Sequence, residues 1–179
     1  MNLREQLHLS DEHYGLLFGV RRSIRYHDRR RAFYEQLHHV TSLLTILMAG
    51  SVLFDVAKKG ETDGWLTAVS VAAALLAALD MVVGYSKRAN LHGSLRERFV
   101  NLEIEILKGA ADDAAWVGYQ TQRLLIEKDE PPIYKVLDCL CHNELLEAEG
   151  VKDPQYFFNA HFWQRWTSQL LRWENVKTV

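Results

Sequence analysis

Proline is nearly missing from this chain. The three prolines stand at 131, 132 and 154, so everything before them lacks the residue that removes an amide donor and breaks a helix. Cysteine is limited to Cys139 and Cys141, too few for a disulfide scaffold. There is no excess of either charge. With 21 basic and 23 acidic residues the formal net charge is −2, which removes the bulk electrostatic reason to expect a nucleic-acid partner. No phosphate-binding loop, GxGxxG, HExxH, GxSxG or kinase signature occurs, so nothing speaks for an enzyme and neither catalytic residues nor cofactors are expected. The hydrophobic share of 48% excludes a disordered chain, and 179 residues make one domain, or one domain with an appendage.

The most informative absence is local. Val40 to Ala57 holds one ionisable residue, Asp55, and Trp65 to Tyr85 holds one, Asp80. As helices these segments measure about 27 and 31 Å, close to the ~30 Å hydrocarbon layer of a bilayer. Between them lies the short, charge-balanced KKGETDG. Basic residues crowd the outer flanks: Arg21, Arg22, Arg25, Arg29, Arg30 and Arg31 before, Lys87, Arg88, Arg96 and Arg98 after. Such a bias places both ends in the cytoplasm, and Trp65 and Tyr85 suit the interface. The opening MNLREQLHLSDEH is charged and polar and reads as no cleavable signal peptide. The expectation is a hairpin in the inner (cytoplasmic) membrane with both termini cytoplasmic. The competing reading is the core of a soluble all-α bundle, which Thr41, Ser42, Thr45 and Ser51 favour by diluting the first segment.

Outside the spans the pattern is helical. Ser10 is a candidate N-cap with Asp11 and Glu12 in the first turn, and one helix is expected from about Asp11 through the first span. After the second span Leu91, Leu95, Phe99, Leu102 and Ile106 form an apolar stripe, and the helix is expected to run towards Lys128, with Gly109 and Gly118 as weak points. Glu130-Pro131-Pro132 ends it. A third helix is expected from Pro132 to Glu149 with Gly150 as its C-terminal cap. A fourth, capped by Asp153, would align Trp163, Trp166, Leu170 and Trp173 on one face. No strand and no repeat is expected. The fold class is therefore all-α, with an N-terminal basic helix over 1–39, a transmembrane hairpin over 40–85 (spans 40–57 and 65–85), a long cytoplasmic helix over 86–130 and a C-terminal helical pair over 131–179.

Chemistry-bearing residues are few. Cys139-Leu140-Cys141-His142 has the composition of a metal site, but side chains two apart on a helix diverge too far to share one ion, so reduced cysteines in a helical core are expected. His38-His39 precedes the first span and reads as an interfacial pair, with pH sensing or a vestibule as the alternative. Thr41, Thr45, Met48, Ser51 and Asp55 fall within about 120° of arc on the first span, which makes Thr41, Thr45, Ser51 and Asp55 candidates for a pore lining. Asp80, deeper in its span, joins them as a protein- or water-facing carboxylate. Ser70, Ala73, Ala77 and Gly84 form a small-residue face suited to helix packing. Leu91, Leu95, Phe99, Leu102, Ile106, Trp163, Trp166 and Trp173 are the candidate cytoplasmic assembly face.

The succession RRRAFYEQLHH, apolar hairpin, YSKRANLHGSLRERFVNLEIEI and EKDEPPIYKVLDCLCHNEL resembles the SLATT superfamily. These are prokaryotic two-transmembrane effectors associated with nucleotide-synthesising and nucleotide-sensing SMODS and SLOG modules. The resemblance covers about Tyr14 to Gly150, and the DEPP to CHNEL stretch is its most specific part. It implies helical hairpins that oligomerise into a pore that kills or arrests an infected cell, with no catalytic residues. The partners it implies are the lipid bilayer, further copies of the chain and an upstream nucleotide-signalling or sensor protein. No fused nucleotide module is present, which leaves the trigger unassigned. The alternative of another class is a non-conducting membrane-anchored scaffold or interaction protein.

Overall fold

The computed structural model describes residues 10–59, 64–109, 113–175 and 177–178. Residues 60–63 of the expected hairpin loop, and residues 1–9 on which the reading of the N-terminus rests, lie outside them. The described chain is all-α in class. Helix α1 runs from Asp11 to Lys59, as the proline-free sequence predicts. Ser10 starts it, its Oγ accepting from the His13 amide at 3.3 Å. Helix α2 spans Gly64–Val83, α3 Tyr85–Lys108 and α4 Asp113–Glu127. The helix expected to continue from the second span towards Lys128 is thus three helices. Gly84, at φ 64°, separates α2 from α3, because the left-handed conformation suits glycine and costs other residues. The break near Gly109 falls where the sequence predicts a weak point, whereas α4 passes through Gly118 uninterrupted.

The C-terminal part departs further from expectation. Helix α5 spans Lys135–Ala148 and starts three residues after Pro132, because Tyr134 is held extended with its amide donating to the Tyr26 hydroxyl at 3.0 Å. Its end follows the sequence. Gly150 has φ 77°, the Gly150 amide donates to the Glu147 carbonyl and the Val151 amide to the Leu146 carbonyl, which is the Schellman pattern. The expected fourth helix does not form as one element. Asp153 caps a 3-10 turn, Pro154–Tyr156, then comes strand β1, Phe158–Asn159, and only afterwards the short α6, Phe162–Thr167. Strand β2, Lys177–Thr178, pairs antiparallel with β1, which corrects the expectation of no strands. The cause is Asn143 on α5. Its amide donates to the Phe158 carbonyl at 2.7 Å and its oxygen accepts from the Phe158 amide at 2.9 Å, so a side chain satisfies the backbone that a helix would otherwise have to satisfy.

The described chain divides into two compact units, residues 10–30 with 92–178 and residues 31–91. In the first, Leu16, Leu17 and Val20 of α1, Leu95, Phe99, Leu102 and Ile106 of α3, and Trp116 and Ile126 of α4 form the main core. The helical spacing of the α3 residues turns them all to one side. Four members of the stripe expected to drive assembly between copies are therefore buried within the chain, and Leu91, 42% exposed, is the exception. A second cluster joins Tyr26 with Leu137 and Cys141 of α5. In the second unit the buried apolar residues are fewer: Tyr34, Leu66, Ala73 and Ala89.

Candidate functional site

The apolar segments of α1 and α2 are long enough to cross a bilayer, and they lie in the second unit. The decisive feature is what their side chains touch. Leu53 and Phe54 are each 71% exposed, Met81 84% and Val82 83%. In a soluble bundle such residues would fill the core; here none of the most apolar stretch of α1 is buried and only 11% of that of the second helical stretch.

One face of each helix is an exception. On the apolar span of α1 the partly covered positions are Thr41, Ser42, Thr45, Met48, Val52 and Asp55, a three-and-four spacing, with Ser42 beside it, that marks one helical stripe. On α2 the covered positions include Leu66, Ser70, Ala73, Leu76 and Asp80. The polar arc expected to line a lumen is thus the half-covered face of α1, with Ser51 outside it and exposed. Ser70 and Ala73 lie on the covered face of α2 as a packing role requires, while Ala77 is exposed and Gly84 serves the turn. The hydroxyls of Thr41, Ser51 and Ser70 donate to the carbonyls of Leu37, Met48 and Leu66 on their own helices, which lowers the cost of placing them in an apolar medium.

A polar contact joins the two helices. His38 Nδ1 lies 2.9 Å from Asp80 Oδ2, with the side chains 38% and 23% exposed. With Asp80 ionised, the carboxylate only accepts, so Nδ1 carries the proton. A carboxylate at the centre of a membrane helix costs about 2.5–3.5 kcal/mol on insertion scales, and a donor from the neighbouring helix offsets part of it. Sequence reasoning selected Asp80 but left His38 as an interfacial residue. The two residues stand 42 positions apart, and their pairing is visible only once the two helices are folded back on one another.

The first unit contains a second polar assembly that sequence reasoning missed. His27 is 1% exposed and His92 3%. His27 Nδ1 lies 2.9 Å from His92 Nδ1, and His27 Nε2 lies 3.0 Å from Glu130 Oε1. With both rings neutral, His27 donates from Nε2 to Glu130 and accepts at Nδ1 from His92. The His27 ring also stacks on Phe99, centroids 5.6 Å apart. Arg30, 2% exposed, lies over the Tyr134 ring at 4.2 Å and donates to the Gln169 carbonyl at 2.6 Å. The EPP segment is thereby clamped on both sides, by Glu130 and by Tyr134. Beside it opens a cavity of about 380 Å³ lined by Arg22, Tyr26, Arg123, Glu127, Glu130 and Asp138 among others. Its charges are matched internally, since Arg22 pairs with Asp138 at 3.1 Å and Arg123 with Glu127 at 2.6 Å.

The Cys139 and Cys141 thiols are free. Burial pushes Cys141 up to about 12 and raises Cys139, which disfavours the thiolate that a metal or an oxidant needs. Burial likewise raises Asp138, against the pull of Arg22, and lowers His142, against its hydrogen bond to the Tyr156 carbonyl. No three His, Cys, Asp or Glu side chains converge on a metal-sized site among the described residues. At the C-terminus, Trp163 and Trp166 are 61% and 73% exposed, whereas Trp173 turns inward, its Nε1 donating to Thr167 Oγ1 at 2.8 Å. The three tryptophans expected on one face are therefore split. No family model, curated protein or solved structure matches this chain.

Proposed function

We propose that this protein is a non-enzymatic membrane effector, inserting the α1–α2 hairpin into the cytoplasmic membrane and acting in several copies as a pore or membrane lesion. The observation that carries the reading is the exposure of Leu53, Phe54, Met81 and Val82 on two helices of membrane-spanning length, since hydrocarbon is the medium in which such side chains cost nothing. The basic flanks orient it with both termini cytoplasmic. One hairpin has too few helices to enclose a lumen, so conduction requires homo-oligomers. The resemblance to SLATT effectors supports a role in antiviral defence, with an upstream nucleotide-signalling or sensor protein as the trigger.

A second reading, a non-conducting membrane scaffold, is favoured by the pairing of Asp80 with His38 inside one hairpin, which occupies a carboxylate a pore would present to ions. Expression in a bacterium, fractionation with a high-salt wash and a membrane-potential dye separate the three cases. Recovery from membranes only with detergent, together with depolarisation, supports the effector. Membrane recovery with the potential intact, including in the presence of a genomic partner, favours the scaffold. Recovery in the soluble fraction overturns both membrane readings.

A further inference from the structure

The C-terminal segment exposes an aromatic and aliphatic surface that nothing among the described residues covers. Phe162 is 68% exposed, Trp163 61%, Trp166 73%, Leu170 62% and Leu171 50%. The segment is nonetheless firmly held from behind. The Arg30 guanidinium grips Gln169 through its carbonyl at 2.6 Å and its side-chain oxygen at 3.1 Å, Ser168 is 4% exposed, and Trp173 closes back onto Thr167. The inner side of this turn is polar and held by these contacts, and the outer side is apolar. The Phe162 and Trp163 rings lie 5.7 Å apart and the Trp163 and Trp166 rings 6.3 Å apart, both edge to face, so the surface is a continuous patch rather than scattered side chains.

Two arginines and one glutamate border the patch, so the positive charges prevail. Arg165 and Arg172 are exposed, and neither makes an ion pair among the described residues, although Arg21, Arg22, Arg96, Arg98 and Arg123 elsewhere in the same unit all do. Glu174 is the acidic neighbour. Indole rings, which are apolar with one polar edge, concentrate at the boundary between headgroups and acyl chains. Unpaired arginines beside them complement anionic lipid. Exposed indoles and arginines also occur at protein interfaces, an outcome the test below separates, but unpaired arginines bordering indoles are the arrangement that an anionic headgroup layer complements. We infer that Phe162, Trp163, Trp166, Leu170 and Leu171 form a second, peripheral lipid contact, with Arg165 and Arg172 engaging anionic headgroups. The inference draws on the proposed membrane residence only for the nearness of a bilayer, and it is tested separately from it.

The test uses full-length protein reconstituted into vesicles of phosphatidylcholine with phosphatidylglycerol, with acyl chains either brominated or plain. One variant, W65F/W173F, keeps Trp163 and Trp166 as reporters. Another, W163F/W166F/W173F, keeps Trp65 in the hairpin. Trp116, 6% exposed in the core, stays in both as a constant background. The expected result is a blue-shifted emission and a loss of intensity on bromination for the Trp163/Trp166 reporter. That loss should shrink when phosphatidylglycerol is omitted or when R165E/R172E is introduced. Quenching of the Trp65 reporter but not of Trp163/Trp166 overturns the lipid contact and leaves the hairpin in the membrane. Quenching of Trp163/Trp166 but not of Trp65 supports the contact and removes the hairpin reading. Unquenched Trp163/Trp166 that respond instead to a quencher-labelled second copy assign the patch to self-association and overturn the inference.

Discussion

Replacing His27 by alanine removes the donor that faces the Glu130 carboxylate, and the structure sets the size of the consequence. His27 is 1% exposed at its side chain and Glu130 7%, so the carboxylate left behind cannot turn to water. Removing one partner of a buried, hydrogen-bonded charge costs about 3–5 kcal/mol, whereas the same deletion at a surface pair costs about 0–1 kcal/mol. The lost stack on Phe99 adds to the larger figure. In a chain of this size the expected fall in Tm is about 6–20 °C. Two controls isolate the cause. E130Q, whose amide oxygen still accepts from His27, should cost only about 1–2 kcal/mol, and H27L/H92L/E130L, which removes all three members of the His92–His27–Glu130 chain, should recover most of the loss. Thermal or urea unfolding in detergent micelles followed by Trp116 fluorescence reads the stability, and hydrogen exchange at residues 129–134 reads the clamp. H27A within about 1 kcal/mol of the parent, or H27L/H92L/E130L no more stable than H27A, would refute the assignment of Glu130 as a buried charge held by His27.

Three further outcomes follow from the geometry. A double-mutant cycle on H38A and D80A should give a coupling of about 0.6–1.7 kcal/mol in micelles, the range for hydrogen bonds between membrane helices; strictly additive effects would show that the pair does not form. Gly84→Ala should cost about 1–2 kcal/mol through the backbone alone, because the nearest atom to an added Cβ is Lys87 Cβ at 3.8 Å; Gly84→Asn should cost visibly less, and equal losses would point away from a left-handed requirement. Burial pushes Tyr26 from 10.0 and Cys141 from 9.0 up to about 12 each, so the folded state holds these protons more tightly than the unfolded one. That stability is fully present below about pH 9 and is lost as pH rises through about 12, at roughly 1.4 kcal/mol per tenfold in proton affinity. Unfolding midpoints measured between pH 8 and 12 should therefore fall, with Cys141→Ala flattening the lower part of the decline, and an unchanged slope in that variant would contradict it. The same sensitivity is why a high-salt wash, rather than an alkaline one, suits the fractionation.

Much of the fold was legible because it is written in local patterns. The absence of proline and the Ser10 cap place α1, and Gly150 places the end of α5, each by interactions within one turn. The spacing over 162–173 is helical, yet no single fourth helix forms from Asp153, because Asn143, fifteen positions before Phe158, captures the backbone at Phe158. The stripe on α3 was recognised as apolar, but its partners were assigned to other copies; Leu16, Leu17 and Val20 cover it within the chain.

By itself the sequence determined that two helix-length stretches carry almost no charge, that basic residues flank them and that the rest of the chain is amphipathic helix. These properties follow from composition and from a 3.6-residue period. Tertiary structure alone decided that Asp80 meets His38 across 42 positions and that Glu130 meets His27 across 103. It also decided that the polar arc of the first span is the half-covered face, and that Trp173 turns inward while Trp163 and Trp166 stay outside. The physical reason is that the period of a helix names a face but not what the face packs against. Pairings between distant positions depend on the register and rotation of whole helices, which are set by the sum of many contacts and by no single motif.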